Sequence, residues 1–298
     1  MIGRREVLAV AALGAAGLGA AGLAGMARAQ TAGPRAWLAE QGRGRAFIMG
    51  FAETNEDIWF TPTVRAAFDA SDTLWVETPP IDPSAPPPSS PSPIVQQLGY
   101  DREHNLFDML GPELAARTRE LAASLQVEEA RLAPSRPWLA YYVLNGAYRS
   151  RHAMPQFTSA PEQTLIARAR ARSKPIRSEF PDSDSLLRFF AAMPDEAQRD
   201  YIRSLLDYIA EEEAGHPVAN LDWVRGEPSD VNIDRMRTTT PALYEQMHVL
   251  RNRAWGTRIQ GLLAAGGRPF ILLGLNHILG PDSVPRNLER LGIPFHRA

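Results

Sequence analysis

Short apolar runs that end in glycine and a polar residue punctuate this chain, and two of them share one order. Residues 47–53 read FIMGFAE and residues 271–277 read ILLGLNH: three apolar residues, a glycine, an apolar residue, any residue, then a polar one. Runs this short and this apolar predict buried strands, one over residues 45–51 and one over the run that starts at Pro269. Each is followed by a predicted helix and then a strand. After the first come a helix over 62–70, opened by Pro62, and a strand over 73–76 that ends at Glu77. After the second come a helix over 284–291 and a strand over 293–297. Between the two halves, apolar residues recur at helical spacing over 112–125, 136–148, 161–172, 184–192, 194–213 and 241–265, the last with a break expected near Gly256. The one extended piece there, 174–180 (KPIRSEF), carries Glu179, and residues 37–41 are assigned to a surface turn. The pattern predicts an α/β fold: a central mixed β-sheet built from two β-α-β halves, with a helical insertion between them. If the two glycine-terminated strands are parallel neighbours, Glu53 and His277 meet above the carboxyl ends of the sheet, where open α/β sheets place ligands.

Two segments stand outside this frame. Residues 1–29 read as an export signal: Arg4 and Arg5 precede an uncharged stretch rich in Ala and Gly, and Ala27-Arg28-Ala29 offers a small-x-small cleavage site. The paired arginines fit the twin-arginine route, so a periplasmic or secreted protein of one α/β domain over 30–298 is expected. From 79 to 93, eight of fifteen residues are proline, which predicts an exposed, polyproline-like loop without helix.

Composition then removes chemistries. With no cysteine the chain has no disulfide, thiolate nucleophile or thiolate metal site, so any metal is held by histidine, carboxylate or backbone oxygen. A net charge of -2 gives no basic face for nucleic acid, and no stretch after the signal is apolar enough to span a membrane. Arg168, Arg170 and Arg172 spread around their helix as solvated charge rather than an anion patch. Gly-x-Ser-x-Gly, His-Glu-x-x-His, the P-loop and Gly-x-Gly-x-x-Gly are all absent. His104, His152, His216, His248 and His296 show no metal-ligand spacing among themselves and read as background.

GFAE at 50–53, VE at 76–77, KPIRSE at 174–179, Arg251-Asn252 with Trp255 three residues on, and GLNHILG at 274–280 together resemble the TraB/GumN family. That family is related to the Tiki metalloproteases and more distantly to erythromycin esterase and ChaN-like proteins. The resemblance spans most of the chain after the signal, in order, and is most specific over the last fifty residues. It implies an α/β fold and hydrolysis of a peptide or related amide or ester bond, dependent on a divalent metal such as Mn, Co or Zn. It also implies the roles. Glu53, His277 and Glu179 are the expected metal ligands, Glu77 a ligand or base, Arg251 an oxyanion or carboxylate partner, and Asn252 the residue that orients a ligand. The sequence departs from the family at one place: the first Gly-x-x-His reads Gly50-Phe51-Ala52-Glu53. Glutamate is itself a ligand for such ions, so a hydrolase is expected, with a non-catalytic ligand- or metal-binding protein on the same scaffold as the alternative. The substrate is expected to be a peptide or small molecule.

Overall fold

The computed structural model describes residues 33–52, 57–80, 92–152, 160–215, 221–228 and 230–298. Residues 1–29, where an export signal is expected, Glu53 and most of the proline-rich loop lie outside the described residues. Six strands form one mixed sheet: β1 (Ala36–Gln41), β2 (Gly44–Phe51), β3 (Thr73–Val76), β4 (Ile176–Ser178), β5 (Pro269–Gly274) and β6 (Phe295–Arg297), in the order β4-β3-β5-β2-β1-β6. β4, β3, β5 and β2 are mutually parallel, while β1 is antiparallel to both β2 and β6. The two glycine-terminated strands are therefore parallel neighbours, with Phe51 opposite Gly274. The halves interleave, because β5 lies between β2 and β3.

Segment 37–41 is a correction. It is not a surface turn but part of β1, paired along its whole length with β2 through a hairpin in which Gly42 takes φ 59°. Its apolar stretch is too short to show an alternation, and the pairing that makes it a strand comes from β2 and β6.

Alternation along the central strands gives the sheet two apolar faces. Phe47, Met49, Phe270 and Leu272 enter one core with Leu74 and Val76, and Phe47 stacks on its register partner Phe270 with ring centroids 5.0 Å apart. α1 (Pro62–Ala70) packs Val64 and Phe68 into this core, its N-terminus capped by the Thr61 hydroxyl. Ala46, Ile48, Ile271 and Leu273 enter the opposite core, closed by Trp255, Ile259, Val284 and Leu288.

The insertion is helical as expected, with additions. α2 (Pro93–Leu98) opens on the last proline of the proline-rich segment, at the helix position where a missing N–H costs nothing. α3 (Leu106–Leu110) and α5 (Glu129–Leu132) are one-turn pieces beside α4 (Pro112–Ser124) and α6 (Pro137–Arg151). α7 (Ala160–Ala171) lies on the sheet, where the half-buried Arg168 rests over the Phe60 ring. α8 (Ser183–Ala191) and the long α9 (Asp195–Glu213) follow β4, then α10 (Val231–Thr239) and α11 (Pro241–Tyr244). The helix expected over 241–265 is irregular at Glu245–Leu250, a π-helical turn, and runs unbroken through Gly256 as α12 (Arg251–Ala264). α13 (Val284–Arg290) precedes β6. Among the described residues no helix is long and apolar enough to cross a membrane.

Candidate functional site

Four parallel strands end at one edge of the sheet, and the polar residues of interest follow directly from three of them. Val76 and Ser178 are register partners, so Glu77 and Glu179 leave β3 and β4 side by side. β5 ends at Gly274, and His277 follows in a single 3-10 turn, Leu275–Ile278. Gly274 has an ordinary φ of -52°, so the motif does not use glycine's freedom to turn. It uses the missing side chain. A Cβ there would stand 2.9 Å from Glu77 Oε1, which accepts the Gly274 N–H. At Gly50 a Cβ would run into the Ile278 side chain of the turn that carries His277.

Arg251, at the start of α12, ties the edge together. Its Nε donates to Glu179 Oε1 at 2.9 Å, and its Nη2 donates to Glu179 Oε2 at 2.6 Å and to Glu77 Oε2 at 2.9 Å. The bonds to Glu179 form the bidentate fork that suits a guanidinium, and Nη1 stands outside them. Trp255, one turn on, donates its indole N–H to Glu179 Oε2 at 3.0 Å. Both Glu179 oxygens are thus engaged in holding Arg251 and Trp255, the place of an anchor for the arginine. Phe180 and Phe189 lie against the guanidinium, their ring centroids 5.7 and 6.0 Å from its carbon.

His277 is held at both ring nitrogens. Nδ1 meets Asn252 Oδ1 at 2.5 Å, and Asn252 spends its own N–H on the Asp282 carbonyl at 2.9 Å, so Nδ1 is the donor. Nε2 faces Glu77 Oε2 at 3.1 Å. Burial alone would raise the Glu77 carboxyl. His277, the Arg251 guanidinium and the Gly274 N–H outweigh it and hold the group far below the usual carboxylate range. Burial likewise works against the charge on Arg251, and Glu179 and Glu77 more than restore it, raising its already high pKa.

A family model for the TraB/PrgY/gumN family matches residues 37–297. The chain belongs to the TraB/PrgY/gumN family. No curated protein and no solved structure matched the chain in the corresponding searches. In this TraB/PrgY/gumN protein the expected residues Glu77, Glu179, Arg251, Asn252 and His277 are joined in one hydrogen-bonded network. β2, which lies directly beside β5, ends at Phe51, and Glu53 lies outside the described residues.

Two further residues belong to the same edge of the TraB/PrgY/gumN fold, and the sequence hid both. Glu162, in the first turn of α7, is 7% exposed. Burial pushes its carboxyl up to about 7, the Glu77 charge adds to this, and a hydrogen bond with Thr78 opposes it. An acid in a first helical turn reads in sequence as a partner of the helix dipole, which conceals the burial. His248, on the π-helical turn, lies with its ring centroid 5.4 Å from that of His277 and 5.4 Å from that of Tyr244. Burial, with the His277 and Arg251 charges, pushes it down to about 3, so it is uncharged near neutrality. A π-turn, frequent at functional sites, leaves no mark that a single sequence reveals.

Glu162 carries a stability prediction. Its folded-state pKa of about 7 lies above the 4.5 of an ordinary glutamate, so the native state keeps a proton that the unfolded chain gives up. Its contribution is intact below about pH 4.5, falls as pH rises and is gone above about pH 7. Glu162→Gln is therefore expected to match wild type at pH 4.5 and to exceed it by about 3 kcal/mol at pH 8. Urea unfolding of chelator-treated protein at the two pH values measures this, and equal stabilities at pH 8 would contradict it.

Proposed function

We propose that this protein is an exported hydrolase that cleaves a peptide or a related amide or ester bond with the help of a divalent ion. The observation that carries the reading is the placement of His277. Its Nδ1 is fixed by Asn252 while its Nε2 is turned toward a carboxylate, the arrangement in which a histidine serves as a metal ligand with its other nitrogen anchored. The donors suit Mn, Co or Zn. Nε2 and Glu77 Oε2 are 3.1 Å apart, the spacing of adjacent ligands on an ion with bonds of about 2.0–2.2 Å. Among the described residues no group of three or more His, Cys, Asp or Glu is arranged to hold an ion, so the third donor assigned here is Glu53. An ion held by His277, Glu77 and Glu53 would supply Lewis acidity toward the scissile carbonyl and the attacking water.

The chain's own groups do the rest. Glu77, kept ionised by its neighbours, is suited to hold the ion, and a carboxylate this far below its usual range is a weak base toward a proton. Glu162, with its carboxyl raised to about 7, is still about half protonated at that pH and is suited to give a proton to a leaving amine. Arg251 fixes Glu77 in place and has Nη1 outside its bonds to the two carboxylates, a donor for a carbonyl oxygen. A second reading, a binding protein without catalysis, rests on glutamate standing at 53 where the first motif's histidine is expected.

The two readings part in an assay of a peptide library at pH 7. Wild type is expected to cleave after addition of Mn, Co or Zn, to lose activity in chelator, and to regain it when the ion returns. No cleavage with any of the three ions rejects the hydrolase in favour of the binder.

A further inference from the structure

We infer that His248 is a substrate-positioning residue whose Nδ1 hydrogen-bonds a peptide amide lying against His277. The ring is 5% exposed, and Nδ1 is fully buried with no hydrogen-bond partner among the described residues. A buried polar atom left unpaired costs stability, and an apolar residue of the same shape would fill this space without that cost. The ring lies between Tyr244, at an interplanar angle of 29°, and His277, at 42°, so the ring that carries the unpaired nitrogen packs directly on the network and not in a remote core. It also sits on the π-helical turn that directly precedes Arg251 and Asn252.

The surroundings select the ligand's class. Arg251 is matched by Glu77 and Glu179, and His277 faces Glu77, so the wall presents hydrogen-bonding groups without an unneutralised cation for an anionic ligand. An amide offers both an N–H and a C=O to whichever form the Nδ1 takes. This inference rests on the proposal that the site takes a peptide or amide, and it adds the residue that holds it.

The test uses the full chain labelled with ¹⁵N-histidine, with N-acetylalanine methylamide as probe, acetate as control, and His248→Asn to assign the resonance. The amide is expected to shift the His248 ring nitrogens saturably, and acetate to leave them in place. In the metal-loaded peptidase assay His248→Phe is expected to raise KM about tenfold with little change in kcat, and to melt no lower than wild type. His248→Asn, which keeps a polar atom near the Nδ1 position, is expected to recover KM. The inference is overturned if the amide leaves the His248 resonances unmoved, or if His248→Phe cleaves with the wild-type KM. Wild type that binds the amide at His248 and cleaves nothing leaves the inference standing while the hydrolase proposal fails.

Discussion

Replacing Arg251 with methionine is expected to destabilise the protein by about 3–5 kcal/mol, the cost of leaving buried charges without their partner. Methionine fills much of the arginine's volume, so packing is a minor part of the loss. The side chain is 9% exposed, and Glu77 and Glu179 both depend on it. Glu179 suffers most, since among the described residues the only other side-chain donor to its carboxylate is the Trp255 indole N–H. Glu77 keeps His277 and the Gly274 N–H. For a domain of this length the melting temperature should fall by roughly 10 °C. The deficit has a pH signature. Glu77 has a folded-state pKa below its ordinary 4.5, so its contribution is present above that pH and is lost as pH falls. The gap between wild type and Arg251→Met should persist through neutral pH and narrow in acid. Adding Glu77→Gln and Glu179→Gln to the methionine variant should recover much of the loss, because no charge then remains buried alone. A deficit under about 1 kcal/mol in Arg251→Met would mean that water reaches these carboxylates freely.

His277→Ala is the converse case, small in stability and large in function. Glu77 loses the imidazole but retains Arg251 and the Gly274 N–H, so the carboxylate is not left without a partner at this edge. Function should suffer far more. Loss of a partner that only orients a ligand, the role proposed for Asn252, typically costs 10–100-fold in metal affinity or activity, roughly the range expected for Asn252→Ala. Removing the ligand itself should exceed it. Turnover in His277→Ala is therefore expected to fall by more than about 100-fold, with its melting temperature within a few degrees of wild type. Turnover near the wild-type value would remove His277 from the centre.

Much of this arrangement can be read in the sequence, for identifiable reasons. β3 and α1 have the predicted bounds because their signals are local: an apolar run in one, a proline in the first turn of the other. The Gly-x-x-His stretch announces itself through composition, and the Arg251-Asn252 pair through family resemblance. β1 escapes because it is a strand by virtue of its neighbours, which local pattern does not encode. Glycine at the end of an apolar run suggests a backbone turn, whereas at Gly274 the need is for a carboxylate to reach a backbone N–H. Glu179 reads as a polar residue of a short edge segment, and only the bonds of Arg251 and Trp255 across the sheet edge give it a defined place. Glu162 and His248 show the same limit from the other side. Their unusual properties come from burial and from charges that the fold brings near, Glu77 for one and His277, with Arg251 one turn on, for the other.

Calorimetric titration of Mn²⁺, Co²⁺ and Zn²⁺ into chelator-treated wild type and His277→Ala at pH 7 tests the central claim most directly. Wild type should bind one ion saturably, and His277→Ala should bind it more than about 100-fold more weakly. Wild type that takes up none of the three ions, or a variant that binds them as tightly as wild type, would contradict it.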